Sequence, residues 1–163
     1  MPVSIELNKA LAEDMKRRLS IAREGLRNEA PAMRQVSVFL DRWVQKNFQG
    51  KGEQIGGWPA YKYGGRLVVK AKSNSYAMDA KRYINTSAAL LQDTGRLRMS
   101  FLPFVRKGIA GIGSDLPYSK PHEEGSDNLP QRRMLPKNAE VQTDIFEILQ
   151  NFVVVQFRKS GLT

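Results

Sequence analysis

Two segments of helical periodicity, separated by a proline, set the first limit on the fold of this chain. In each segment apolar residues recur every three or four positions, which places them on one face of an α-helix. Pro31 ends the first segment and suits the first turn of the next, so residues 1–48 are predicted to form two amphipathic helices joined at an elbow. The apolar positions are Leu7, Leu11, Met15, Leu19, Ala22 and Leu26, followed by Met33, Val36, Leu40, Trp43, Val44 and Phe48.

Residues 50–76 have no such periodicity. This stretch contains six glycines and Pro59, with one short strand-like run at residues 67–69. Gly and Pro are the strongest local breakers of regular structure. The pattern predicts an extended loop of a length that, inside a compact domain, is often ordered by a partner. We interpret it as an interaction loop.

The second half of the chain mixes helix and strand signals. Residues 83–95 are expected to be partly helical, with Asp93 or Thr94 capping a short turn over 96–100. Phe101 to Val105 and Ile109 to Ile112, separated by Lys107 and Gly108, indicate a β-hairpin. A further strand is expected over 129–135, with Pro130 confining its start to an edge.

Helical spacing returns at the C-terminus, where apolar residues from Val141 to Phe152 predict another amphipathic helix. The Val153 to Val155 run fits either its continuation or a terminal strand. The fold class is therefore α+β: an N-terminal helical pair, a small antiparallel β-sheet with a long loop excursion, and a C-terminal amphipathic helix. A length of 163 residues suits a single domain over 1–163.

The amino-acid composition argues against several kinds of catalytic and metal-binding site. The chain has no cysteine and one histidine, His122, which argues against disulfides, thiolate catalysis and the usual structural zinc sites. No apolar run approaches the roughly 20 residues that cross a bilayer, and the first residues lack the layout of a signal peptide. We therefore expect no membrane contact, no metal, no cofactor, and synthesis and retention in cytoplasm.

The net charge of +10 is concentrated in the middle of the sequence. Residues 51–108 carry eleven basic against three acidic residues, and so hold +8 of the total. Aromatic residues interleave with the basic ones there, namely Trp58, Tyr61, Tyr63, Tyr76 and Tyr83 with Lys62, Arg66, Lys70, Lys72, Lys81 and Arg82. This mixture is typical of a groove that stacks single-stranded nucleic acid, and equally of a protein interface with aromatic anchors and a charged rim.

His122 is the one position where acid–base chemistry can be considered, because Glu123 and Glu124 follow it. An active site needs side chains that converge on one point, and neighbours on one short loop seldom do so. A structural or interface histidine is the favoured interpretation, and an enzyme centred on these three residues is a third hypothesis. The glycines at 56, 57, 64 and 65 do not form a phosphate loop, because no Gly-Lys-Ser/Thr follows them.

Five short motifs follow one another along the chain, namely Gly57-Trp58-Pro59, Leu91 to Leu97 with Ser100, Ile112-Gly113-Ser114, Tyr118-Ser119 with His122 and Gly125, and Pro130-Gln131-Arg132. In order and spacing they resemble the phage virion-morphogenesis or tail-completion family. The resemblance spans about residues 30–152. Family members usually show Tyr-Ala ahead of the histidine and Arg-Pro-Phe after the second proline, where this chain has Ser119, Arg133 and Met134.

The resemblance implies a non-catalytic subunit that forms a ring at the neck or tail end of a tailed phage and joins tail to head. It implies a hexameric homo-oligomer, partners among the connector and tail-tube proteins, passing contact with genomic DNA, and residence in the virion after assembly in the bacterial cytoplasm. The alternative is a DNA-binding protein that uses residues 51–108.

Two sets of residues follow from that interpretation. The motif positions are expected to shape turns and loops, and the excursion and the hairpin tip are expected to contact neighbouring subunits. The structural set is Thr94, Gly95, Gly113, Tyr118, His122, Gly125, Pro130 and Arg132. The interface set is Trp58, Tyr61, Arg66, Arg96, Arg98, Arg106 and Lys107.

Overall fold

The chain begins with the predicted helical pair, α1 at Lys9–Arg27 and α2 at Ala30–Gln49. The structure is a computed structural model that describes residues 9–60, 66–70, 81–85, 90–92, 94–126 and 129–162. The later elements are a 3₁₀ turn at Glu53–Ile55, β1 at Arg66–Lys70, β2 at Lys81–Asn85, α3 at Arg96–Met99, β3 at Phe101–Arg106, β4 at Ile109–Ser114, α4 at Ser119–Glu124 and α5 at Asn138–Ser160. The α+β class is confirmed.

The strands form two separate two-stranded sheets. β1 and β2 are antiparallel, with Arg66 opposite Asn85 and Lys70 opposite Lys81. β3 and β4 are neighbours in the second sheet. The two-residue turn at Lys107 and Gly108, where Gly108 has φ 69, makes that sheet the predicted hairpin.

The chain divides into two compact units. Unit 1 comprises residues 1–38, 104–111 and 137–163, and unit 2 comprises residues 39–103 and 112–136. The prediction of a single domain over 1–163 stays a prediction. No helix among the described ranges is long and apolar enough to span a bilayer.

Unit 2 holds the large buried side chains. Phe48 lies at the centre of its core, with its ring 5.2 Å from that of Trp58 and 5.8 Å from that of Phe101. Asn47 is fully buried on the same helix, and its side-chain amide donates to the carbonyl oxygens of Arg133 and Met134 at 3.2 and 3.3 Å. The core residues are Val44, Phe48, Trp58, Leu90, Leu97, Phe101 and Met134.

Unit 1 is built on α1 packed against α5. Gly25 lies close to the side chain of Gln156, and the guanidinium of Arg18 donates to the carbonyl oxygen of Gly161. Residue numbers therefore rise along one helix as they fall along the other, so the two helices run antiparallel. The buried apolar residues of this unit, among those described, are Ala22, Ala32, Val36 and Val141.

α5 continues through the Val153 to Val155 run and ends at Ser160, so the helical alternative for that run is confirmed. Gly161 ends it in the left-handed conformation at φ 73. Its backbone N–H and that of Leu162 donate to the last carbonyl groups of the helix, in the manner of a Schellman motif.

One of the expectations on secondary structure is wrong. Residues 130–137 are irregular, with only a bridge between Ser126 and Leu129 before them, so no strand covers 129–135. Of the span 83–95, predicted partly helical, residues 83–85 belong to strand β2, and residues 86–89 and 93 lie outside the described ranges. The excursion over 50–76 contains a 3₁₀ turn and strand β1, while its residues 61–65 and 71–76 lie outside the described ranges.

Candidate interaction surfaces

Trp58 lies in the core of unit 2 rather than on a contact surface. Its indole is 7% exposed, and its Nε1 donates to the carbonyl oxygen of Arg133 at 2.7 Å. Two backbone hydrogen bonds close the turn that brings it inward. The N–H of Trp58 donates to the carbonyl oxygen of Lys51, and the N–H of Gly57 donates to that of Gly52. The prediction of Trp58 as an exposed interface anchor is wrong, because the turn over 50–57 folds the ring back onto α2.

Arg132 fastens the chain that follows Trp58. Its side chain is 4% exposed, and its Nε and Nη2 donate to the carbonyl oxygens of Pro59 and Ala60 at 3.0 and 3.3 Å. Its own backbone N–H donates to the carbonyl of His122 at 2.7 Å. A buried guanidinium with several acceptors is a structural tie between distant segments.

Glu123 points into the protein. Its carboxylate accepts the backbone N–H of Met134 at 2.5 Å and that of Leu135 at 3.2 Å. Bonded to the carboxylate, these N–H groups are not available for strand pairing, and residues 130–135 are irregular in place of the strand expected over 129–135. We refer to this arrangement as the Glu123 clamp.

The three candidate residues for acid–base chemistry do not converge. The carboxylate of Glu123 is engaged by the clamp, and Glu124 pairs with Lys120 at 3.9 Å on the surface of α4. The Nδ1 atom of His122 is buried and has no hydrogen-bond partner in the described part of the chain. Within those same ranges no group of three or more potential ligands could hold a metal ion.

Burial perturbs two of these groups in opposite directions. Desolvation raises the pKa of Glu123 above its ordinary value, and the backbone N–H groups of Met134 and Leu135 oppose that shift only in part. Desolvation also lowers the pKa of His122, and the nearby positive charge of Arg132 lowers it further. Both shifts favour the uncharged side chain, as burial dictates.

The structure separates the predicted interface residues. Arg96, Arg106 and Lys107 are exposed, and the guanidinium of Arg106 lies 5.5 Å from the ring centre of Phe104. Arg98 is half-buried and its Nε donates to Oε1 of Gln45 at 2.6 Å, so it serves unit 2 internally. Arg66 begins strand β1, and Tyr61 lies outside the described residues.

The predicted structural positions occupy turns and chain approaches. The hydroxyl of Thr94 accepts the backbone N–H of Arg96 at 3.3 Å, and Gly95 precedes α3 with φ 71. Gly125 has φ 78, and a Cβ there would lie 3.0 Å from the backbone nitrogen of Gln131.

Three further residues of the predicted structural set show no such backbone or packing constraint. Gly113 lies in β4, where a Cβ would meet nothing within 4 Å. Tyr118 and Pro130 are exposed.

Exposed apolar side chains concentrate in unit 1, a feature that the sequence interpretation missed. Of the fifteen large exposed hydrophobic residues in the described ranges, twelve belong to this unit. On α1, Leu11, Met15 and Leu19 are 53%, 46% and 52% exposed although they form the periodic stripe. Phe146 of α5 is 64% exposed. Periodicity identified the apolar face of α1 but could not show that the unit leaves it uncovered.

The chain matches no protein-family model, no curated protein and no solved structure.

Proposed function

We propose that this chain is a structural subunit of a tailed-phage particle, assembling into a ring that completes the tail and joins it to the head. The observation that carries the assembly role is the uncovered apolar surface of unit 1. The sequence motifs that resemble the virion-morphogenesis family supply the phage context. The expected partners are further copies of the chain and the connector and tail-tube proteins.

The uncovered surface belongs on an assembling protein because monomeric proteins rarely leave large contiguous apolar patches in water. The α1 stripe has Leu11, Met15 and Leu19 at successive intervals of four residues, so they form one continuous row. Among the described residues, unit 1 fully buries only alanine and valine side chains, and twelve of its large hydrophobic side chains are exposed. A partner that covers them would complete a core that the unit lacks.

The proposed role is contact rather than catalysis. Glu123 serves the backbone of Met134 and Leu135, and Glu124 pairs with Lys120 at the surface. Neither carboxylate is poised beside His122 for proton transfer to a bound substrate. The polar groups around His122 instead hold the chain of unit 2 in place.

The test is deletion of the coding sequence from the phage genome that carries it, followed by electron microscopy of the lysate. The expected result is the accumulation of separate heads and tails, with joined particles restored by the chain supplied in trans. His122→Ala supplied in trans should also restore them. Complete, infectious particles in the absence of the chain would overturn the proposal.

A second candidate, nucleic-acid binding, is favoured by the β1–β2 ribbon. Four of its ten residues are basic, namely Arg66, Lys70, Lys81 and Arg82, and none is acidic. Lys70 is the register partner of Lys81, so basic positions of the two strands stand opposite each other in the ribbon.

Phosphate binding predicts that the logarithm of DNA affinity falls linearly with the logarithm of salt concentration. The Lys70→Gln/Lys81→Gln variant should reduce that slope by about 2. An unchanged slope would remove the ribbon from the DNA-binding surface.

A further inference from the structure

Two helices of unit 1 carry exposed rows of opposite charge. On α5, Glu140, Asp144 and Glu147 recur at spacings of four and three, so they share one face, and the helix has no basic residue before Arg158. The row on α1 is Lys16, Arg23 and Arg27 at spacings of seven and four. It also lies on one helical face and runs beside the apolar stripe of Leu11, Met15 and Leu19.

Each row of like charges is electrostatically unfavourable in the isolated chain. Like charges three or four residues apart on a helix repel each other, as Arg23 and Arg27 do on α1 and Asp144 and Glu147 do on α5. Local contacts relieve only part of this. Lys16 pairs with Glu13 at 3.3 Å and Arg27 with Glu24 at 3.5 Å, and the carboxylate of Glu140 accepts the backbone N–H of Lys137 at 2.9 Å. Arg23, Asp144 and Glu147 have no ion-pair partner in the ranges that the structure describes.

The two rows are out of register within one chain. α1 meets the C-terminal half of α5, where Arg18 bonds to Gly161 and Gly25 approaches Gln156. The acidic row lies on the N-terminal half of α5. Glu147 precedes Gln156 by nine residues, which is about 13 Å along a helix. Even from Arg27, two residues beyond Gly25, the offset is about seven residues or about 10 Å along the helix axis. No ion pair joins the two rows among the described residues.

Apolar side chains accompany both rows. Leu19 is half-exposed on the face of α1 next to the basic row, and Phe146 is 64% exposed about 100° around α5 from Glu147. An apolar centre with charges at its edge is the usual anatomy of a protein interface. The basic row extends over twelve residues and the acidic row over eight, so their ends are about 16 Å and about 10 Å apart along the helix.

We propose that the basic row and apolar stripe of α1 in one copy dock against the acidic row and Phe146 of α5 in a second copy. This inference rests on the proposed function and specifies its subunit contact. The occupant is a second copy because the chain itself carries both complementary surfaces. The contact joins two different surfaces, so it is heterologous and generates a ring when the rotation closes.

The test uses two charge-reversed variants and their mixture, with solution mass measured by light scattering. Arg23→Glu/Arg27→Glu makes both surfaces acidic, and Asp144→Lys/Glu147→Lys makes both basic. Each variant alone should self-associate at least about tenfold more weakly than the unmodified chain, because like charges then face each other. An equimolar mixture should recover the assembled mass, since each acidic surface then meets a basic one.

The matched control reverses two exposed acidic residues of unit 2, Asp115→Lys/Glu124→Lys. It changes the net charge as much as the α5 variant does and should assemble like the unmodified chain. Circular dichroism verifies that every variant is folded.

Variants that assemble normally would overturn the docking while leaving the head–tail joining role to the deletion experiment. Folded variants whose mixture fails to assemble would likewise overturn it and point to a different protein as the occupant. An unmodified chain that remains monomeric at all concentrations would also contradict the second-copy contact.

Discussion

The indole of Trp58 occupies the space that a side chain on Gly52 would need. A Cβ built on Gly52 would lie 2.3 Å from Cδ1 of the ring, and Gly52 itself has φ 83. The glycine therefore meets two requirements at once, a left-handed backbone and the close approach of a buried aromatic ring.

Gly52→Ala is expected to destabilise the protein by about 2–4 kcal/mol, from backbone strain and from displacement of the indole. Gly56 is a matched control, because it has φ 88 but a Cβ added there would meet nothing within 4 Å. Gly56→Ala should therefore cost only the strain, about 1–2 kcal/mol. Urea unfolding measures both, and equal losses would show that the ring does not constrain position 52.

Arg132→Lys is expected to lower the free energy of unfolding by about 1–3 kcal/mol, since a lysine cannot satisfy the carbonyls of both Pro59 and Ala60. The exposed Arg96 provides the control, and Arg96→Lys should change stability by less than about 0.5 kcal/mol. Hydrogen exchange of residues 50–60 should accelerate in the first variant alone. A similar loss of stability in both variants would show that the hydrogen bonds from Arg132 to Pro59 and Ala60 do not stabilise the fold.

Stability should fall as the pH decreases through the ordinary histidine range. The pKa of His122 is lowered in the folded chain, so the unfolded chain binds the proton more readily. The contribution of neutral His122 to stability is fully present above the pKa that His122 has in the unfolded chain. It is lost as the pH falls through the lower pKa of the folded chain. Because the chain has a single histidine, His122→Gln should flatten the dependence measured by urea unfolding between about pH 7.5 and pH 5. An unchanged pH profile would contradict this.

Glu123 should give the opposite slope. Its pKa is raised in the folded chain, so its contribution is present below the ordinary glutamate pKa and is lost as pH rises through the raised one. As the pH rises from the ordinary glutamate pKa to the raised pKa of Glu123, the stability of the unmodified chain should fall relative to that of the Glu123→Gln variant. Thermal unfolding of both proteins at a series of pH values gives the difference, and a constant difference would rule the shift out.

Leu11→Gln/Met15→Gln should weaken self-association without unfolding the chain. Both side chains are about half exposed, so their replacement removes little buried area and should change the free energy of unfolding by less than about 1 kcal/mol. Val44→Ala is the contrasting change, because Val44 is fully buried in unit 2 and should cost about 1–3 kcal/mol. Unaltered association of the first variant would mean that the stripe is not part of the interface.

The two long N-terminal helices, the hairpin and α5 could be predicted from sequence because periodicity and turn residues are local signals. The burial of Trp58 could not, because a tryptophan among glycines and basic residues suits a core as well as an interface. The irregular course of residues 130–135 could not be predicted either, because it is accompanied by contacts with Glu123, which lies eleven residues before Met134. Likewise, an apolar stripe such as that of α1 does not reveal whether anything covers it.

The Glu123 clamp affects which substitutions the neighbouring residues tolerate during evolution. Residues 132–135 are anchored by the Glu123 carboxylate, by the carbonyl of His122 and by the side chains of Asn47 and Trp58, not by a ladder of paired strands. The side chain at the exposed position 130 can therefore change without an alternating pattern being kept. Divergent relatives should be recognisable by an acidic residue about eleven positions ahead of a buried apolar one, even where the intervening segment has become unalignable.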